Sequence, residues 1–289
     1  MRYKNGGAFR RALEDRMRTM NLQTGVPLVR LRKMIAFDRF LSRLFTHGTD
    51  QWVVKGGFAL QLRLGATART TKDIDLLLLG KLQEIYPHLK DAGAIDLGDW
   101  FAFEVMETIH SDVGGLRYRL HSLLDGRTFE RFHIDVGIGD LLLAPVDYLE
   151  IPGLLAFAGI KPTIVPCYPI TQQIAEKYHA FTRSHVSGVS SRVKDFVDML
   201  LLAEMGELDS VILRQAIRAT FDNRNTHEFP VRVPLPPKDW SQPYLKIANE
   251  VGLKYESLPD AGKALQQFLE PALMPEAQIR WNPTNWQWE

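Results

Sequence analysis

The spacing of apolar positions changes along this chain, and each change predicts a different kind of element. Over 26–45, Leu28, Leu31, Ile35, Phe37, Leu41 and Leu44 recur mostly at steps of three and four, with Arg30, Arg32, Lys33, Arg39 and Arg43 largely between them. That is the pattern of an amphipathic helix. Residues 51–55 read as a short strand ending at Gly56-Gly57, and 58–64 as a short helix immediately after the glycines. From 73 to 79 acids alternate with apolar residues before a leucine run begins. This predicts a strand with one functional end and a buried remainder. A helix over 81–92 then crosses back over the sheet, and 100–109, 116–123 and 128–137 follow as strands, with Gly114-Gly115 and Asp125-Gly126 supplying the turns. The order strand, helix, strand, helix, then antiparallel strands predicts a mixed α/β (α+β) sheet.

Pro145, Pro152, Pro162, Pro166 and Pro169 place a lobe boundary within 141–170. Beyond it the pattern is helical, over 171–182, 190–205, 209–221, 241–251 and 259–273, with a proline-containing connection at 226–243. The expected division is 1–160, a mixed-sheet core with N-terminal helices, and 161–289, a helical C-terminal lobe. Trp281, Trp286 and Trp288 read as packing against the body rather than as a separate module. There is no internal repeat and no low-complexity tract.

With 289 residues, 45% of them hydrophobic and 24% charged, the chain can bury a substantial core. A formal net charge of +1 gives no global case for a nucleic-acid partner, so a cationic surface could only be a local patch. The single cysteine, Cys167, excludes an intramolecular disulfide and a Cys-rich zinc site, and suits a reducing cytoplasm. The charged stretch 10–18 lacks the apolar run of a signal peptide, and no window reaches the roughly 18 to 20 apolar residues of a membrane span. Neither export nor membrane insertion is expected.

The chemistry gathers on a few acids. In Asp73-Ile74-Asp75 a pleated strand sends positions i and i+2 to one side, so both carboxylates converge while Ile74 points into the core. Two such acids repel unless a divalent cation neutralises them, and hard oxygen ligands suit Mg²⁺ or Mn²⁺; two solvated acids in a turn are the plain alternative. His133-Ile134-Asp135-Val136-Gly137 is a second strand whose acid lies between apolar residues. Asp135 either completes a three-carboxylate cluster able to hold two metal ions or is a salt-bridged edge residue. Gly56-Gly57, after one strand and before a helix, can bring backbone amides close to a phosphate or can be a simple turn. His133 lies on the face of Asp135 without any partner histidine at metal-ligand spacing, which favours a hydrogen-bonded structural role.

The runs Lys55-Gly56-Gly57-Phe58-Ala59-Leu60-Gln61-Leu62-Arg63 and Arg69-Thr70-Thr71-Lys72-Asp73-Ile74-Asp75-Leu76 resemble the AbiEii/AbiGii family of nucleotidyltransferase toxins. The likeness continues through 132–137, the helix Ile174-Ala175-Glu176-Lys177, and 192–200, spanning roughly 51–202. It implies a DNA polymerase β-like nucleotidyltransferase core that uses an NTP and divalent metal. It further implies that Asp73 and Asp75 are metal ligands, Asp135 the third carboxylate and a candidate base, and Lys177 a triphosphate contact. The flanking Lys55 and Lys72 join Gly56 and Gly57 as nucleotide-binding positions. Asp195 and Asp198 fall in the late acidic motif, where either could orient Lys177, Asp198 more strongly. Both also admit simple helix-surface ion pairs with Arg192 and Lys194.

One departure stands out: Phe58 follows the glycines where the family often carries a hydroxyl. Thr70 or Thr71 could supply that hydroxyl, which also makes Thr71 a candidate phosphorylation point, where a phosphate would oppose NTP binding. The family resemblance implies a toxin with a cognate antitoxin that transfers nucleotides to RNA, with tRNA acceptor ends favoured. Arg214, Arg218, Arg224, Arg232 and Lys238 are then candidate RNA contacts. Two other functions remain open at this point, transfer to a small aminoglycoside-like acceptor and a catalytically silent nucleotide-binding module. Label from an NTP appearing on RNA, on a small molecule or nowhere separates the three.

Overall fold

A computed structural model describes residues 2–48, 51–80, 84–110, 115–183, 190–230, 232–275 and 278–289. Its contacts divide into two compact units. The first is Met1–Ala66, Thr70–Gly139 and Val146–Cys167, and the second Thr67–Arg69, Asp140–Pro145 and Tyr168–Glu289.

In the first unit, α1 (Gly6–Thr24) starts where the Asn5 side chain accepts a hydrogen bond from the Ala8 amide and stops at Gly25 in the left-handed region. Phe9, Leu13 and Met17, four residues apart, turn one face of it to the core. The next helix, α2 (Leu28–His47), is less amphipathic than its pattern implies, because Arg39 and Arg43 on its basic stripe are buried. Arg43, fully buried, donates to both carboxylate oxygens of Asp99 and to the carbonyls of Arg39, Ile95 and Phe101. A guanidinium survives there because its donors are used.

The core sheet consists of β1 (Trp52–Lys55), β2 (Ile74–Leu78), β3 (Phe101–His110), β4 (Leu116–Leu124), β5 (Arg127–Ile138), β6 (Asp147–Glu150) and β7 (Ile164–Cys167), in the order β3-β4-β5-β2-β1-β7-β6. It is mixed: β2 runs antiparallel to β1 and parallel to β5, and β1 runs parallel to β7. Two short helices, α3 (Gly56–Leu64) and α4 (Ile85–Ala94), follow β1 and β2. The expected helix start at 81–83, and Gly114 of the expected turn, lie outside the described residues. Asp125 and Gly126 both take positive φ in the β4–β5 turn, as a tight two-residue hairpin requires. Strands β6 and β7 come from the proline-rich stretch, where four-residue lengths and Pro166 leave no readable alternation.

The second unit holds α5 (Ile170–Thr182), α6 (Ser190–Ala203), α7 (Ser210–Arg224), α8 (Ser241–Val251) and α9 (Leu258–Leu273), with α5 packed on α6 and α7. A small sheet, β10-β9-β8, joins β8 (Leu208–Asp209), β9 (Arg280–Asn282) and β10 (Gln287–Trp288). The tryptophan-rich tail is thereby folded into this unit. The Trp281, Trp286 and Trp288 indoles donate to the carbonyls of Ala203, Ala264 and Phe268. Among the described residues no helix is long and apolar enough to cross a membrane.

Candidate active site

Strand register puts four charged residues on one rung of the first unit's sheet. Lys55 of β1 pairs with Asp75 of β2, Asp75 with Asp135 of β5, and Asp135 with Arg117 of β4. Directly paired residues share a face, and adjacent strands lie about 4.8 Å apart. The opposite face carries Ile74, Leu76, Ile134 and Val136, all buried, which is why the acids must point the other way.

Each acid has its own partner. Arg117 grips Asp135 through two bonds, Nε to Oδ1 and Nη2 to Oδ2, each 2.6 Å long. That bond above all, reinforced by the charges of Asp135, Asp73 and Asp75 against a smaller effect of burial, pushes the Arg117 pKa upward. Asp73, one residue before β2, meets Nδ1 of His133 at 3.1 Å. The hydrogen-bonded histidine expected from the sequence is thus seen, with Asp73 as its partner. Asp75 accepts from the Gly57 amide at 3.3 Å.

Gly56 is required twice over. Its φ is +60°, and a Cβ there would collide with the Asp75 carboxylate. The glycine pair thus acts first on an acid, leaving room for Asp75 and donating to it. Among the described residues no three His, Cys, Asp or Glu side chains converge as a metal cage. The donor set nevertheless suits a hard cation: Asp75 and Asp135 are side by side on one face, and the missing Gly56 side chain makes space at Asp75.

Lys55 is buried and Lys72 exposed. Thr71 is buried, its hydroxyl donating to the Asp73 carbonyl at 3.2 Å and its amide to the Gln61 side chain at 3.4 Å. A hydroxyl so enclosed does not fit the phosphorylation point considered for it. The buried Cys167 thiol is pushed up to about 12, mainly by burial, and is no nucleophile.

In the second unit, Asp198 of α6 is fully buried and takes Arg69 in a bidentate pair at 3.0 and 2.8 Å and Lys177 of α5 at 2.6 Å. Asp195, one turn earlier, accepts from Lys177 at 3.3 Å and from Arg192 at 2.7 Å. Burial by itself would raise the Asp198 pKa, but the Lys177 and Arg69 charges hold it below the ordinary carboxylate range. For Lys177 burial acts to lower the pKa, and Asp198 and Asp195 together raise it. Both directions favour the charged forms of Asp198 and Lys177, and Lys177 is no solvated helix lysine.

Two of the arginines considered as RNA contacts are already in use. Arg214 is buried and donates to the Ala272 and Met274 carbonyls at the end of α9, and Arg224 pairs with Asp140 and Glu176. Arg218, Arg232 and Lys238 are exposed. Two site residues are not singled out by sequence reasoning. Arg69 stands within the family motif, four residues before Asp73, whereas Arg117 is one basic residue in an alternating strand and gives no local signal.

A mixed sheet with paired acids on β2 and β5 and a helical second unit is a nucleotidyltransferase architecture. Its fold is similar to that of MenT4, a nucleotidyltransferase toxin from Mycobacterium tuberculosis H37Rv, at a TM-score of 0.56 and 16% identity, covering 89% of this chain and 96% of that one. JHP933 from Helicobacter pylori is also similar, with a TM-score of 0.46, 15% identity, and 82% and 94% of the two chains covered. No curated protein sequence matches. The model of the family described as "Nucleotidyl transferase AbiEii toxin, Type IV TA system" matches residues 39–282, and the chain belongs to that family.

Proposed function

We propose that this protein is the toxin of a toxin–antitoxin pair and transfers a nucleoside monophosphate from an NTP to RNA, with the tRNA 3′ end as acceptor. The observation that carries the reading is the rung of Asp75 and Asp135 on adjacent parallel strands, with Asp73 at the strand entrance. Asp73, Asp75 and Asp135 would hold Mg²⁺ or Mn²⁺. That cation, when bound, supplies charge neutralisation for the phosphates and the attacking oxygen.

The acceptor hydroxyl oxygen bonds the α-phosphorus, and pyrophosphate leaves. Asp135 takes the hydroxyl proton. His133 fixes Asp73, and the Gly57 amide fixes Asp75. Lys55, paired with Asp75 across the strands, and Lys72, next to Asp73, are assigned to nucleotide binding, while the enclosed Thr71 holds the chain at Asp73 through its bond to that carbonyl. Lys177 is assigned to the triphosphate, with Asp195 and Asp198 keeping it charged and oriented. The substrates and the single unpaired thiol suit the cytoplasm, and the family's toxin–antitoxin description supports a cognate antitoxin as partner.

The test is incubation of the protein with each labelled NTP, Mg²⁺ and total tRNA. Label on tRNA that EDTA abolishes is the expected result. Label only on a small aminoglycoside-like acceptor, or on no acceptor, overturns the RNA reading.

A further inference from the structure

Arg117 has no part in the reading above, yet its guanidinium lies directly on one of the proposed metal ligands. Its planar fork meets both oxygens of Asp135 at 2.6 Å, and its side chain is 45% exposed. The sheet backbone holds its Cα opposite that of Asp135, so the guanidinium stays at this face whichever anion it binds. With both oxygens of Asp135 held by Arg117, a metal ion arriving there meets a positive charge already seated on the carboxylate, so the guanidinium and the cation compete for it. An arginine with this much exposure can leave one anion for another without stranding a buried charge, unlike Arg43 in the same unit. Once Asp135 turns to a cation, the free fork needs an anion that offers two oxygens side by side, and a phosphate presents such a pair.

We propose that Arg117 is a nucleotide-binding residue with two stations: the Asp135 carboxylate before metal and NTP arrive, and a pair of NTP phosphate oxygens afterwards. In the first station it acts as a stand-in cation that keeps the crowded acids from repelling one another. In the second it neutralises phosphate charge and releases Asp135 for the reaction. The inference rests on the reading of Asp73, Asp75 and Asp135 as metal ligands.

The test uses the full-length protein and follows free Mn²⁺ by electron paramagnetic resonance in the absence of nucleotide. Arg117→Ala is expected to bind Mn²⁺ about tenfold more tightly than wild type, a factor that corresponds to about 1.4 kcal/mol of lost competition. Arg117→Lys, which keeps the charge but not the fork, should gain less. In transfer assays Arg117→Ala should raise KM for NTP about tenfold, with kcat changed less, as expected for a lost binding contact. Unchanged or weaker Mn²⁺ binding by Arg117→Ala overturns the first station, and an unchanged KM overturns the second. Absence of Mn²⁺ binding by wild type and variant alike overturns the metal reading itself and this inference with it.

Discussion

Gly56 shows how one atom's absence shapes the site. A methyl group there must enter the Asp75 carboxylate and sit at φ +60°, a region that costs other residues about 1 to 3 kcal/mol. Gly56→Ala should therefore lower the unfolding free energy measured by urea titration by that order and remove transfer together, since Asp75 has to shift. Asp73→Ala should behave differently. It releases one of several crowded acids and frees only the half-buried His133, so circular dichroism and the unfolding midpoint should stay close to wild type while transfer is abolished. Retained transfer in Asp73→Ala removes the metal role of that residue.

Elements act at the next scale by carrying charges into places where solvent cannot screen them. Helices α5 and α6 bring Lys177 and Asp198 together, with Arg69 bonded to both carboxylate oxygens. Replacing Asp198 with Asn leaves two cations facing a neutral amide in a buried site, and breaking such a pair costs about 3 to 5 kcal/mol. Denaturant titration of Asp198→Asn should show that loss, whereas Arg192→Ala, on the more exposed end of the cluster, should cost about 1 kcal/mol or less. The pH dependence follows from the two directions. A depressed Asp198 pKa makes its contribution present at neutral pH and lost as pH falls below the ordinary carboxylate range. A raised Lys177 pKa keeps its contribution until pH rises past the ordinary lysine value of 10.5. This ion pair therefore contributes a flat stability across neutral pH.

For the molecule as a whole, a buried histidine makes stability depend on acidity. His179 of α5 is buried, shares a hydrogen bond between its Nε2 and the Thr226 hydroxyl at 2.9 Å, and lies against the ring of His227. Burial, then the charges of Arg224, His227 and Arg183, bring its pKa down from 6.5 to about 4, with Asp140 opposing weakly. Between those values the unfolded chain binds the proton and the folded one does not, so stability falls as pH falls through 6.5 toward 4. Going from pH 7 to pH 5 should cost about 2 kcal/mol at this site. Calorimetry of the full chain at the two pH values should show the loss, reduced in His179→Gln; equal pH slopes for both proteins argue against it.

Much of this fold is legible in the order of residues alone. Period and turn residues locate β2, β4 and β5 and the helices from α5 onward, because a strand's alternation and a helix's three-and-four spacing are local properties of the chain. Within the strand the alternation sets Asp75 on the face opposite Ile74 and Leu76, since that follows from the pleat alone. What only the tertiary structure decides is who meets whom. Strands β2 and β5 are about fifty positions apart in the chain, and nothing local says that Asp75 sits beside Asp135. No pattern announces that Arg117 lies on Asp135, that Arg43 is core, or that Arg214 and Arg224 are spent on internal partners. Charge in a sequence is only a type of residue; whether it faces solvent, a carboxylate or a phosphate depends on register and packing between distant segments, which is where its energy is set.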